Sequence, residues 1–409
     1  MPRSPARWAW SQVTRARQRL PPGLDYLVER FKWSLRRPPA DLELAPPVPG
    51  AAPRVLIAPT NFAGQGRAWA QALVRRGPGG AGNWAYRAQP GFGYQADYAP
   101  AITINAAPTA FQSAQFNRVV SRCQAVVMES GWPIFGRLFG YSAAREALAL
   151  QTVGLDVAVL WHGSDIRLPS QHRATHRLSP YALPALKSRA AELESTARRN
   201  RRSMGHLGLP QLVSTPDLLD QVEDGRWCPV VVAPEVFALG SSGMVAPILA
   251  GGPPRVVHVP SDPLLKGTDL VDPILRRLAA QGRIEYLRAE GLPAVRVLEL
   301  YASADVVADQ FRMGIYGVAA AEAMALGRLV VSDVDRSVRA LVQQLTGLVL
   351  PIEQAAAEDL EEVLERVIAD PAPFRALAAR GPAFAEAVHS GVRSANTLAA
   401  ALGMDQAEG

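Results

Sequence analysis

Asp309–Asp333 reads DQFRMGIYGVAAAEAMALGRLVVSD. It follows an apolar run, Ala304–Ala308, and ends in another, Leu329–Ser332, both of which suit buried strands. Between them the pattern predicts a loop with two glycines, then a helix from about Val318 to Leu326 that stops at Gly327. Ala319, Ala320, Ala321, Ala323 and Ala325 favour a helix and add little bulk. The N-terminus of such a helix, beside Gly317, offers free N–H groups and the positive end of the dipole to a phosphate. Glu322 falls one turn later, on the face of Val318. An ionised carboxylate only accepts hydrogen bonds, which matches a vicinal diol such as a ribose. The stretch therefore predicts a nucleotide pocket, with phosphate and diol sites about one helical turn apart.

Working outward, the 409 residues exceed one typical core and predict two domains. Residues 1–53 form an arm and a Pro-rich linker, and the first domain is expected over 54–237. It opens on Arg54–Pro59, RVLIAP, a strand of the kind buried in parallel sheets. The loop Asn61–Gly66 and an amphipathic helix follow, which begins a doubly wound α/β unit. The loop is not the full G-x-G-x-x-G fingerprint, so no nicotinamide or flavin cofactor is expected. Further strands are expected at Ala101–Ile104, Ala125–Met128, Ala158–Trp161 and Leu212–Thr215. Ala158–Trp161 runs straight into His162-Gly163-Ser164-Asp165, and ligands of open α/β sheets bind at such strand ends. The Arg-rich segment 173–202 reads as a solvated helix face. Residues 238–254, rich in Gly and Pro, read as the interdomain linker. The second domain, expected over 255–380, begins with another buried strand, RVVHVP. Its next segment, Ser261–Thr268, contains Lys266 beside Gly267, a point charge suited to a diphosphate. A last helical segment, 381–409, is expected to cross back to the first domain.

The Asp309–Asp333 stretch resembles the donor-site signature of retaining glycosyltransferases of the GT-B fold, family four. Glu322 matches the second Glu of that signature, with AEAMALG around it, and Gly317 and Val318 match its turn. The resemblance covers most of residues 55–350 and is strongest over 256–333. It implies two doubly wound, Rossmann-like domains facing across a cleft, and metal-free transfer from a UDP- or GDP-linked sugar with retention. It also implies that the nucleotide base sits at Arg288–Leu292. Lys266, Gly267, Gly314, Tyr316, Gly317 and Val318, with Gly64 and Gly66 of the first loop, are then the diphosphate and sugar candidates, and Glu322 holds the ribose. His162 and Lys266 are the catalytic candidates. Asn61, Gln65, Glu129 and Asp165 are those on the acceptor side. Two positions depart from the signature: Gly314 stands where a Glu is usual, and Ser261 where an Arg is usual. Arg312, close by in sequence, is the candidate to replace that Arg. Those departures keep open a catalytically silent protein that binds a sugar nucleotide or a partner. A non-transferase sugar-nucleotide epimerase of the same fold is a further alternative. As to the first loop, a tight turn without ligand remains an alternative.

Charge is uneven. Residues 1–40 carry nine Lys and Arg against two Asp and Glu, a net +7 out of +6 for the whole chain. The remainder is close to neutral and is not expected to bind nucleic acid. The arm also carries Trp8, Trp10 and Trp33, and basic plus aromatic residues suit an anionic membrane surface. The alternative is an arm that packs on the body. No apolar run reaches 18 residues and no apolar leader precedes the arm, so a cytoplasmic protein is expected, tethered or not at the inner face of the membrane. Cys123 and Cys228 are expected as free thiols. No Cys/His cluster has metal-ligand spacing, and the D-x-D at Asp333–Asp335 is read as incidental, so no metal is expected.

Overall fold

A computed structural model describes residues 43–86, 92–100 and 107–404. The basic arm and the strand expected at Ala101–Ile104 lie outside these residues. The remainder forms two parallel sheets. The first contains β1 (Arg54–Ala58), β2 (Gly80–Asn83), β3 (Ala125–Glu129), β4 (Asp156–Trp161), β5 (Gln211–Val213) and β6 (Arg226–Trp227). Their order is β2-β1-β3-β4-β5-β6. The second contains β7 (Arg255–His258), β8 (Glu285–Arg288), β9 (Val306–Ala308), β10 (Leu329–Ser332) and β11 (Glu353–Gln354), in the order β11-β10-β9-β7-β8.

Helices cover both faces. In the first domain they are α1 (Gln65–Arg76), α2 (Thr109–Arg122), α3 (Ala143–Thr152), α4 (Pro169–Thr175), α5 (Lys187–Met204) and α6 (Pro234–Ser241). The second has α7 (Pro263–Lys266), α8 (Thr268–Ala280), α9 (Ala294–Ser303), α10 (Val318–Ala325), α11 (Arg336–Thr346), α12 (Leu360–Ala369) and α13 (Pro371–Ala379). The chain ends with α14 (Gly381–His389) and α15 (Val392–Ala401).

The near-continuous apolar strands have a simple cause: both faces of each sheet are covered. In β1, Val55 and Ile57 pack with Trp69, Leu73 and Leu398 on one face. Leu56 and Ala58 point the other way, toward Phe111 and Phe116. In the second domain Val306 and Ala308 of β9 join a core with Leu275 and Leu364, while Val307 joins the core that holds Ala320 and Met324. Fully burying one such side chain is worth about 1.5–3 kcal/mol.

The expected linker at 238–254 begins inside a helix, because Ala238–Ser241 complete α6. Pro234 starts that helix at a position that needs no N–H donor. Gly240, read from sequence as a flexible glycine, is a packing residue: a Cβ there would lie 2.7 Å from the carbonyl oxygen of Ala325 in α10. The chain crosses back at Ser390–Gly391. On one side α14 packs on α10 of the second domain, and on the other α15 packs on α1 of the first. His389 ties the crossing down. Its Nδ1 lies 2.8 Å from the Val230 carbonyl oxygen and its Nε2 3.3 Å from the Tyr316 hydroxyl. Cys123 and Cys228 are buried free thiols. Among the described residues no helix is long and apolar enough to cross a membrane.

Candidate functional site

A cleft of about 440 Å³ opens between the domains, where the chain leaves β1, β7 and β9. Phe62 and Ala63 follow β1 into it, and Ser261, Asp262 and Lys266 follow β7. Val318 and Glu322, on α10, enter from the loop after β9. Thus Lys266, Val318 and Glu322, expected from sequence as phosphate and ribose groups, share one cavity.

The helix α10 begins at Gly317 with no side chain capping it, and a Cβ at Gly317 would meet nothing within 4 Å. No side chain therefore occupies its first amides, which is a condition for an anion site at a helix start. One turn on, burial pushes the Glu322 carboxyl up to about 8, with no hydrogen bond opposing it. Its electrostatic neighbours are two tyrosines. Burial first, and the Glu322 charge second, push the Tyr94 phenol up to about 12. Tyr301 is also held well above its usual range by burial, with Asp309 and Glu322 adding to it. None of the described residues donates a hydrogen bond to the Glu322 carboxyl.

Lys266 closes α7, which Asp262 caps through bonds from the Leu264 and Leu265 amides of 3.1 and 3.2 Å. Its Nζ is paired with Asp309 Oδ1. The other carboxylate oxygen of Asp309 is buried with no hydrogen-bond partner among the described residues. The ammonium is thus fixed in place rather than free to wander.

The first-domain candidates are knit to one another instead. Glu129, at the end of β3, is fully buried; one oxygen accepts from the Thr60 amide at 3.1 Å and the other lies 3.0 Å from His162 Nε2. His162 also meets Phe62 edge-on, with ring centroids 5.2 Å apart, so it supports the cleft wall without lining it. Asp165 accepts from the amides of His162 and Gly163 at 2.9 and 2.8 Å, which closes the turn after β4. Asn61 spends its amide on Gln95 and on the Arg67 N–H. Gln65 holds both the N–H and the carbonyl of Val231, at 2.6 and 3.0 Å. Gly66 is small because a Cβ would stand 2.7 Å from the Thr60 carbonyl oxygen. Gly64 lies against the Tyr94 ring.

Four donor candidates of the second domain are turned to other tasks. Arg312, the expected replacement for the Arg missing at 261, does not reach the cleft. Its Nη2 is 2.6 Å from Asp269 Oδ2 and its Nη1 3.4 Å from the Leu178 carbonyl oxygen. Gly267 starts α8 at φ 77°, and a Cβ there would press on the Arg312 stem at 3.1 Å. Tyr316 is buried against His389. Gly314 has φ 66°, and a Cβ there would fall 2.5 Å from the Asp335 carboxylate. That carboxylate occupies the space a side chain would need, and it pairs with His176 across the domain boundary. Asp333, the other acid of the D-x-D, accepts from Gln354 at 2.7 Å. Among the described residues no group of three or more His, Cys, Asp or Glu could hold a metal.

Four lining residues carried no sequence signal. Tyr94 and Phe92, stacked on each other at 6.5 Å, overhang the cleft from the loop after β2. Tyr301 comes from α9. Arg189 comes from α5, inside the segment read as a solvated face. Gly291 and Leu292, of the loop expected to receive the base, also line the cavity, whereas Arg288 is tied to Glu290 and Asp272.

No protein-family model matches the chain, and no curated protein matches it by sequence. Solved structures do match in fold. One is sucrose-phosphate synthase from Thermosynechococcus elongatus, with TM-score 0.52 and 15% identity over 88% of this chain and 100% of that one. Another is a glycosyltransferase from Rickettsia africae, with TM-score 0.53 and 8% identity over 87% of this chain and 99% of that one. The architecture is the two-domain GT-B fold.

Proposed function

We propose that this GT-B chain is a glycosyltransferase that binds a nucleoside-diphosphate sugar, UDP- or GDP-linked, in the interdomain cleft. It passes the sugar, with retention and without a metal, to a glycan, lipid-linked or small-molecule acceptor on the first-domain side. The observation that carries this reading is the Glu322 carboxyl. It is half-buried at the cleft wall, lacks any donor among the described residues, and stands one turn from an uncapped helix start in the same cavity as Lys266. A ribose diol supplies the two donors that the carboxyl lacks, and a diphosphate supplies the anion for the helix start.

Glycosyl transfer builds negative charge on the departing diphosphate as the bond to the sugar breaks. Groups fixed where that charge appears lower the barrier. Lys266, held by Asp309, and the Gly317–Val318 amides are those groups here. Glu322 anchors the nucleotide so that the sugar points toward Phe62, which His162 supports. The basic arm, a net +7 over residues 1–40, is proposed to keep the enzyme at an anionic membrane face.

The test is release of nucleoside diphosphate from a panel of UDP- and GDP-sugars, with and without acceptors. Acceptor-stimulated release is expected, and Lys266→Ala is expected to lower kcat more than donor affinity, because its charge is needed most in the transition state. Conversion of donor to an isomer without acceptor would make the protein an epimerase. Binding with no turnover for any acceptor would make it a silent relative.

A further inference from the structure

We propose that Arg189, reaching over from the first domain, is a diphosphate-binding residue of the cleft and takes the place of the cation absent at Ser261. The inference rests on the donor reading above and adds a residue to that site.

A nucleoside diphosphate brings at least two negative charges, yet the second domain offers one cation in the cleft, Lys266, already paired with Asp309. Arg312 is committed elsewhere, with its side chain only 6% exposed. Among the described residues the one other cation lining the cavity is Arg189, which meets Asp262 beside Ser261. Its Nη1 lies 2.5 Å from Asp262 Oδ2, and its side chain is 48% exposed. A guanidinium has five N–H donors, and no other hydrogen bond from Arg189 to the described residues is seen. The fork geometry matches phosphate oxygens.

The pairing with Asp262 also explains how the guanidinium is aimed. Asp262 Oδ1 is held by the Leu264 and Leu265 amides, so the carboxylate cannot turn away. It presents Oδ2 to α5 and parks Arg189 over the start of the segment that ends in Lys266. An incoming diphosphate competes with one carboxylate oxygen for a group that has donors to spare. Because Arg189 belongs to the first domain and Lys266 to the second, a diphosphate held by both spans the cleft.

The experiment measures binding of UDP and GDP, and of the matching nucleosides, by calorimetry. Variants are Arg189→Ala, Arg189→Lys and Asp262→Asn, the last retaining a residue that caps helices well. Arg189→Ala is expected to weaken the preferred diphosphate about tenfold or more, the worth of a lost charge-assisted bond, and to leave the nucleoside unaffected. Arg189→Lys should recover part of the loss, and Asp262→Asn should tighten diphosphate binding by removing a competing anion. Equal losses in Arg189→Ala and Asp262→Asn would show an interdomain strut and overturn the proposal. So would an Arg189→Ala protein that binds the diphosphate as tightly as wild type. Wild-type protein that binds neither diphosphate would instead overturn the donor reading, and this inference with it.

Discussion

The first domain and the second each contain a buried strand, a glycine turn and a helix, and they treat the polar groups at that turn in opposite ways. After β1, Asn61 and Gln65 are spent on the protein's own backbone, and Glu129 is shared between Thr60 and His162. After β9, Gly317 faces open space, α10 starts uncapped, and the half-buried Glu322 has no donor among the described residues. A satisfied turn adds to stability. An unsatisfied one costs stability in the free protein and gives it back when a ligand supplies the missing partners. The same local sequence grammar therefore yields a strut in one domain and a set of open polar groups in the other.

The sharpest way to break this contrast is to remove one carboxyl from each side. Glu129→Ala deprives the Thr60 N–H and His162 of their buried partner. It is expected to cost about 3 kcal/mol of folding free energy, read as a lower urea midpoint. Glu322→Ala should leave the urea midpoint where it is or raise it, since no hydrogen bond is lost in the free protein and Ala favours a helix. Its effect should fall on binding: more than tenfold weaker sugar-nucleotide affinity by calorimetry, from the loss of bonds worth about 1.5–3 kcal/mol each. A Glu322→Ala protein that is destabilised and binds normally would reverse the assignment.

The smallest effect is a proton. The Glu322 carboxyl ordinarily titrates at 4.5 and is pushed up to about 8 in the free fold, so at pH 7 it is mostly protonated. Ribose hydroxyls that donate to the carboxylate favour its charged form and lower that value in the complex. Binding between that lowered value and about pH 8 should then release a proton, and affinity should rise with pH across that window, by at most about tenfold per unit. Calorimetry in two buffers of different ionisation enthalpy measures the proton, and Glu322→Gln should abolish it. Glu146 is the internal control: it too is pushed up to about 8 by burial, but the Ile134 and Phe135 amides already hold it, at 2.6 and 2.9 Å. It lies in the core of the first domain and should not respond to nucleotide.

How much of this was readable in the chain follows the range of the interactions. The unit around Asp309–Asp333 is built from neighbours in sequence, and the strand expected at Leu329–Ser332 is β10 to the residue. The helix expected over Val318–Leu326 ends one residue earlier, with Leu326 as its cap. Local periodicity and breakers suffice for such elements. Arg189 was not legible, because its role depends on Asp262, 73 positions away, and an Arg on a helix looks the same whether water or a cleft faces it. Arg312 misled for the mirror reason: proximity in sequence to the glycine turn suggested the cleft, whereas Asp269 draws it to α8. The linker was overextended because Gly240 signals flexibility in sequence and close helix packing in space.

The second crossing at Ser390–Gly391 has a mechanical meaning. A lone tether between α6 and β7 would let the two halves swivel in any direction, like a ball on a string. With α15 returned to α1, α14 laid against α6 and His389 fastened to both Val230 and Tyr316, the two crossings lie side by side and form one double strap between the halves.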